Sequence, residues 1–497
     1  MVLENLEPQT VWEIFEHVFS VTPRESKKEE KIRAKLKSWI PERAKSLGIE
    51  ISLIEDEIGN ILFTRPASPG KESVPPLLFQ GHMDMVCETD RPDGFDFDSN
   101  PIPIRIQDNG EWVDADGTTL GADDGVGVSI ALAVMLDPAI KVGKLELLIT
   151  VDEETGLTGA FALDPDTVTI ESRLLVNVDS GEIGIITVGS AGGGDTTLKR
   201  ETHYQDIVGS ATFIELTVSG LFGGHSGVDI HKHRGNANKL VARLLAPVID
   251  EMNVHLSKWN GGSKHNAITR EATAIFAVEP GKAARAEEIL EAAKHDILSY
   301  FKELEPDLEI KWKTGVPVEQ VFSLEDSKHI IQSINLLHQG PVKFSPSIKD
   351  LVETSNNVAV VETTDSEMRV ITSTRSSVDA ELIDFRRKIA TIGHLTGWEV
   401  ILNPAYPGWK PDPRSPFTVF IRSQYEKFVD KEIQVSAIHA GLECGIIGAK
   451  FPGMQMVAIG PDNKNPHTPD EKIGISSVGT IYDLLVSIVN ELPNQQF

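Results

Sequence analysis

Four stretches of the chain share one pattern, an apolar run that stops abruptly at histidine or carboxylate. They are Pro76-Leu77-Leu78-Phe79-Gln80-Gly81-His82-Met83-Asp84, Leu145-Glu146-Leu147-Leu148-Ile149-Thr150-Val151-Asp152-Glu153-Glu154-Thr155-Gly156, Leu174-Leu175-Val176-Asn177-Val178-Asp179-Ser180, and Met454-Gln455-Met456-Val457-Ala458-Ile459-Gly460 with the loop that follows to His467. Runs of this kind predict strands buried on both faces, as in the parallel core of an α/β sheet. Ligands in such sheets bind at the C-terminal strand ends, so four polar-tipped strands predict one polar crevice. Along an extended chain, carboxylates two apart point the same way and adjacent ones diverge, so Glu153 and Glu154 are open to different tasks.

Elsewhere the pattern predicts helices over Pro8–Ser20 and Glu25–Leu47, and strands over Ile49–Ile54 and Asn60–Thr64 meeting at the Ile58-Gly59-Asn60 turn. Gly125–Leu136 reads as a buried helix, with Asp123 and Asp124 in its first turn, where negative charge suits the helix dipole. From about residue 188 the tipped strands give way to strand and helix pairs. Strands are expected at Phe213–Val218, Ala272–Val278, Asn357–Glu362 and Met368–Thr372, and helices at Asn236–Met252, Ala283–Leu304, Glu325–Gln339 and Val378–His394. Four helices among antiparallel strands predict a two-part insert. The Pro-rich Asn403-Pro404-Ala405-Tyr406-Pro407-Gly408-Trp409 marks the return, so the expected division is a first domain over 1–187 and 401–497 and an insert over 188–400. At 497 residues the chain exceeds what one core organises.

Composition narrows the partners. The chain is 40% hydrophobic and 24% charged, as soluble globular proteins are, and lacks the roughly 18 uninterrupted apolar residues of a membrane span. A formal net charge of −27 argues against nucleic acid and anionic membrane, which need clustered lysine and arginine. Glu4, Glu7, Glu13 and Glu16 stand where a signal peptide would be basic and then apolar, so a cytoplasmic location is expected. The two cysteines, Cys87 and Cys444, form no Cys-x-x-Cys and read as ordinary thiols of a reducing compartment.

Histidine, aspartate and glutamate without thiolate suit zinc, cobalt or manganese at an open catalytic site. Gathering Asp123, Glu153, Glu154 and Asp179 in one cavity is costly unless cations compensate, and two dications would do so. Other signatures are absent. An EF-hand loop beginning at Asp114 would need glycine where Thr119 stands and glutamate where Gly125 stands. There is no His-Glu-x-x-His, no P-loop and no Gly-x-Ser-x-Gly.

Gly81-His82-Met83-Asp84, Gly121-Ala122-Asp123-Asp124-Gly125, Asp152-Glu153-Glu154-Thr155-Gly156, Val178-Asp179-Ser180 and Gly223-Gly224-His225-Ser226-Gly227, in that order, resemble the M20 co-catalytic metallopeptidases. Val352-Glu353-Thr354-Ser355-Asn356-Asn357, His439-Ala440-Gly441-Leu442-Glu443-Cys444-Gly445 and Asn465-Pro466-His467-Thr468-Pro469 narrow the resemblance to the aminoacyl-histidine (Xaa-His) dipeptidase branch, over nearly the whole chain. The resemblance implies an α/β catalytic domain with a mixed, largely parallel sheet, and an inserted α+β lid of two ferredoxin-like halves. It implies two divalent ions, zinc first and cobalt or manganese as alternatives. Asp123 would bridge them, with His82 and Asp179 on one ion and Glu154 and His467 on the other. Glu153 would be the general base, Asp84 would orient the His82 imidazole, and His225, Asn357 and Arg375 would contact substrate, with Asn356 an alternative to Asn357 and His225 stabilising the oxyanion. His439 and Glu443 lie in a motif of that branch without a role that follows from sequence, and His231 and His233 read as structural. The implied activity is metal-dependent hydrolysis of dipeptides, Xaa-His and carnosine-like ones first, with a broader dipeptide range open. The alternatives are an N-acyl-amino-acid deacylase on the same metals or another M20-type aminopeptidase, and, in a different class, a non-catalytic metal-binding protein. The oligomeric state is left open, a homodimer included.

Overall fold

The four polar-tipped runs are neighbours in one sheet. In the computed structural model, which describes residues 2–206, 211–318, 320–495 and 497, strands Leu145–Thr150, Leu77–His82, Leu174–Asn177 and Gln455–Ala458 lie side by side in that order and run parallel. Register aligns their ends: His82 faces Thr150, Gln80 faces Asn177, and Asn177 faces Ala458. Flanking strands run antiparallel, Ser52–Glu55 and Ile61–Arg65 on one side and Ile185–Ser190 on the other, with Gln434–Ile438 beyond it; this gives a mixed sheet of eight strands among the described residues. The central strands are apolar on both faces because both faces are covered, and every residue of Leu77–His82 and Leu145–Thr150 is buried.

Helix Ala122–Met135 packs against the Leu77–His82 strand and against helices Gln9–Ile14 and Ile475–Glu491. Its residues from Asp124 onward are all buried, and Gly125 and Gly127 allow the close approach. Helix Ile475–Glu491 is apolar enough to resemble a membrane span by composition, yet its Val478, Ile481, Leu484, Leu485 and Ile488 are 0% exposed in this core. Together with the segments Trp409–Ala437 and Leu442–Phe497, Met1–Gly189 forms the first compact unit.

The second unit comprises Ser190–Gly408 and the short segment Ile438–Gly441. Its nine-stranded sheet is antiparallel among the described residues and carries helices Ala237–Glu251, Ala283–Phe301, Leu324–Leu336 and Asp379–Leu395. Two runs of four strands meet at a single register pair, Gly261 with Val361. Alternation builds the core: along Thr212–Ser219, Ile214, Leu216 and Val218 turn inward to pack with Trp259 and Phe276.

Strands Gly192–Glu201, Val254–Gly261 and Glu399–Tyr406 were not expected from the pattern. The first opens on three glycines and the last carries Pro404, composition that usually marks loops. Pro404 is tolerated because its strand lies at the sheet edge and the register shifts between Leu402 and Ala405. The expected division at 400 falls within this strand, which belongs to the second unit.

Candidate active site

The first unit brings His82, Asp84, Asp123, Glu153, Glu154, Asp179 and His467 together. Asp123 lies at the start of the buried helix with φ −78° and ψ 112°, values that turn its side chain out of the helical path. One of its oxygens meets His82 Nε2 at 3.0 Å and the other meets His467 Nε2 at 3.3 Å. His82 Nε2 is also 3.9 Å from Asp179, and His467 Nε2 is 2.9 Å from Glu154. Each oxygen of Asp123 therefore belongs to a different imidazole–carboxylate group. His467 is carried on a loop between Asn463–Lys464 and Lys472–Gly474, with φ +64°, a left-handed value uncommon outside glycine.

Asp84 sits behind His82. Its Oδ1 lies 3.3 Å from His82 Nδ1 and accepts the Glu153 backbone N–H at 3.0 Å, while its Oδ2 accepts the Glu154 N–H at 3.3 Å and the Ser26 hydroxyl at 2.7 Å. Burial alone would raise the Asp84 carboxyl, but these donors hold it down at about 2. Asp152 does not share the direction of Glu154. At φ +48° it turns away and accepts hydrogen bonds from the hydroxyls of Thr155 and Thr158, closing the turn after the strand.

The field in this site is strongly negative. Among the described residues, the two imidazoles are the cationic partners within 4 Å of these carboxylates. Burial, with neighbouring Glu443, Glu154 and Asp123, pushes Glu153 well up, and burial with Asp123 does the same to Asp179. Hydrogen bonds to Asp123 and Glu154 raise His467 to about 10. Asp123 and Asp179 also line a cavity of about 110 Å³ with no lysine or arginine among its lining residues.

These residues fit divalent cations. Three of the donor separations, 2.9–3.3 Å, are close to the roughly 3–3.5 Å expected between two ligands each about 2.0–2.2 Å from one ion, and the His82–Asp179 separation is wider at 3.9 Å. Glu154 Oε1 is buried and has no hydrogen-bond partner, as a free ligand atom would be. His82, Asp123 and Glu154 offer donors within 4.8 Å of one another.

A polar layer beneath the site was not found in the sequence. Asn177 donates to Gln80 at 2.8 Å, Gln80 donates to Glu443 at 2.6 Å, and Thr150 donates to the same Glu443 oxygen at 2.8 Å. Asn177 in turn accepts the Asp179 N–H at 3.1 Å. Burial pushes Glu443 up to about 7. The available signal was one uncharged polar residue near the end of three of the four apolar runs: Gln80, Thr150 and Asn177.

In the second unit, His225 pairs with Ala267 in a short ladder, and its Nδ1 accepts backbone N–H groups from Gly227 and Val228 at 3.1 and 3.2 Å. With Nδ1 accepting, the neutral ring carries its proton on Nε2. Burial, followed by Arg375, lowers its pKa and favours that neutral form. Arg375 is 7% exposed; its Nη1 donates to the Tyr406 hydroxyl at 2.8 Å, its Nε has no partner, and no carboxylate pairs with it among the described residues. Asn356 and Asn357 are both 0% exposed with their amides in use. Asn357 donates to Ala267 O at 2.8 Å and accepts from Gln339 at 3.1 Å, whereas Asn356 donates to His338 O and accepts from Thr374. His439 is buried, with Nε2 2.7 Å from the Ser355 hydroxyl.

Residues 78–491 match peptidase family M20/M25/M40. The chain belongs to this family. It is 36% identical over 491 residues to the cytosol non-specific dipeptidase of Escherichia coli K12, covering 99% of each chain. Among solved structures it matches the aminoacylhistidine dipeptidase of Vibrio alginolyticus with a TM-score of 0.90 and 35% identity, over 98% of this chain and 97% of the other. Aminopeptidase PepT of Bacillus cereus shares the fold, at TM-score 0.55 and 18% identity, over 98% of this chain and 99% of that one. The fold here is mixed α/β, and the candidate metal-binding cluster His82, Asp123 and Glu154 lies in the first unit.

Proposed function

We propose that this protein is a dinuclear metallo-dipeptidase acting on short peptides with a free C-terminus, Xaa-His dipeptides among them. The observation that carries this is Asp123, whose two oxygens face two separate imidazoles, each accompanied by its own further carboxylate. His82 and Asp179 would hold one ion and His467 and Glu154 the other, zinc by preference and cobalt or manganese as substitutes. When bound, such ions supply a polarised peptide carbonyl and a water of lowered pKa.

The protein side of the chemistry falls to a few groups. Glu153 takes the proton of the attacking water and returns it to the leaving amine, a role suited to a carboxylate whose pKa burial has raised. Asp84 fixes both the His82 ring and the Glu153 backbone. His225 donates from Nε2 to the oxyanion, Arg375 grips the substrate carboxylate, and Asn357 keeps the His225 ladder in place through Ala267. The Vibrio relative's name supports Xaa-His substrates and the Escherichia coli relative's name supports a broader dipeptide range and a cytosolic setting.

The test is a panel assay on chelator-stripped protein reloaded with zinc, cobalt or manganese. Release of free amino acids from dipeptides should require reloading, with Xaa-His substrates among the best. Cleavage confined to N-acyl amino acids would make it a deacylase, and full activity in protein shown by elemental analysis to lack metal would remove the mechanism.

A further inference from the structure

Two buried residues with no part in the proposed chemistry grip the turn that presents Asp123. Glu471 is 1% exposed, and its carboxylate accepts three backbone N–H groups of that turn: Leu120 and Gly121 on Oε2, both at 2.8 Å, and Asp123 itself on Oε1 at 3.2 Å. Arg24, also 1% exposed, holds the same turn from its carbonyl side by donating to Gly121 O. Its other guanidinium nitrogen donates to Met83 O at 3.2 Å and Asp84 O at 2.9 Å, directly after His82. Gly121 sits at φ +68°, and a Cβ there would fall 2.3 Å from the Arg24 guanidinium. Only glycine admits that approach.

Glu471 also belongs to the His467 loop. Its own N–H donates to Thr468 O at 3.0 Å, and the Thr468 hydroxyl donates to Asn465 O at 2.9 Å, so carboxylate and imidazole are parts of one short closed loop. A shift of Glu471 would therefore move Asp123 and His467 together. Arg24 in the same way joins the Asp123 turn to the segment that follows His82.

We infer that Glu471 and Arg24 are positioning residues that fix the spacing of His82, Asp123 and His467, Glu471 coupling Asp123 to the His467 loop. The inference rests on the two-ion reading of those three ligands. Groups that orient ligands in this way commonly change metal affinity about 10–100-fold when removed. A charged acceptor satisfying three N–H donors is not replaced by an amide, because Gln would turn an NH₂ toward at least one of them.

The test compares Glu471→Gln with Glu146→Gln. Glu146 is a matched control: it is 2% exposed and accepts two backbone N–H groups, Glu171 at 3.1 Å and Ser172 at 2.9 Å, where strand Leu145–Thr150 begins, the opposite end from the site. Each metal-free protein is titrated with Co²⁺, recording the affinity, the visible absorption spectrum and the rise in Tm on loading. Glu471→Gln should bind Co²⁺ about 10–100-fold more weakly, with an altered spectrum and a smaller metal-induced rise in Tm. Glu146→Gln should lower Tm with and without Co²⁺ alike and leave affinity and spectrum unchanged. Arg24→Lys, which keeps the charge but cannot span from the Gly121 carbonyl to those of Met83 and Asp84, should weaken Co²⁺ binding in the same direction and serves if Glu471→Gln does not fold. Equal behaviour of the Glu471 and Glu146 variants, or wild-type Co²⁺ affinity in both Glu471→Gln and Arg24→Lys, would overturn the inference. Failure of the underlying site would look different, with wild type binding fewer than two Co²⁺ or Asp123→Asn binding them as wild type does.

Discussion

Asp84 Oδ1 accepts the backbone N–H of Glu153 at 3.0 Å while standing 3.3 Å from His82 Nδ1. One carboxylate thus sets both a metal-ligand candidate and the proposed base. Asp84→Asn should weaken divalent-ion binding about 10–100-fold and also lower kcat with the sites refilled, since the Glu153 backbone loses its anchor. Equilibrium dialysis and steady-state assays at saturating metal separate the two losses; an unchanged kcat in the refilled enzyme would leave Asp84 a partner of His82 alone.

Glu153 and Glu154 are adjacent and are expected to fail in different ways. Glu153→Gln should retain close to two ions per chain and lose about 10²–10⁴ in kcat, the usual worth of general acid–base catalysis. Glu154→Gln, which alters the carboxylate 2.9 Å from His467, should lose metal instead. Metal content by elemental analysis, read beside kcat, decides; the reverse pattern would exchange the two roles.

Arg375 is a buried guanidinium that, among the described residues, has no carboxylate within ion-pair distance, and its Nε has no hydrogen-bond partner, so it can take a carboxylate on the substrate. Truncating one member of a desolvated charge pair costs about 2–5 kcal/mol, so Arg375→Ala should lower kcat/KM for dipeptides roughly 30-fold to several thousand-fold. Dipeptide amides should be poor substrates of the wild type and should suffer far less from the change. Equal proportional losses for acid and amide would show that Arg375 does not read the carboxylate.

His439 gives a pH dependence of stability. Burial, followed by the Arg375 guanidinium, lowers its pKa from 6.5 to about 3. Between these values the unfolded chain binds a proton that the folded chain refuses. The neutral-ring contribution is therefore whole above pH 6.5 and is lost as pH falls toward 3, at up to about 1.4 kcal/mol per pH unit. Denaturant unfolding at pH 7 and pH 5 should show this slope in wild type and a slope smaller by up to one proton in His439→Asn; identical slopes would mean that the buried ring does not resist protonation.

Much of the candidate site was legible because His82, Glu153, Glu154 and Asp179 stand at or just beyond strand ends. An apolar run that stops at His82, Glu153, Glu154 or Asp179 shows in local pattern alone, and the parallel core aligns those ends. Asp124 was read as a residue of the helix start; it is in fact buried, at 3% exposure, between Gly81 and Gly127, where a Cβ would fall 2.0 and 2.1 Å from its oxygens. Nothing local announces such packing. Glu471 and Arg24 escaped for a related reason, since their partners are backbone groups about 350 and 97 residues distant and backbone groups leave no trace in a side-chain pattern. The strands Gly192–Glu201 and Glu399–Tyr406 were hidden by glycine and proline, which an edge or a close approach accepts although local propensity disfavours them.

The strand Gln455–Ala458 lies beside Leu174–Asn177, although the whole second unit separates them in the chain. During synthesis at about 5–20 residues per second, that interval lasts roughly a quarter of a minute to a minute. A growing chain therefore carries His82, Glu154 and Asp179 at or just beyond the ends of strands that still lack their last parallel neighbour, and Asp123 at a helix start that still lacks the His467 loop. The second unit, apart from Ile438–Gly441, can be fully synthesised in that time. The unit begun first is completed last, and the proposed two-ion site would be whole only once the final tenth of the chain is made.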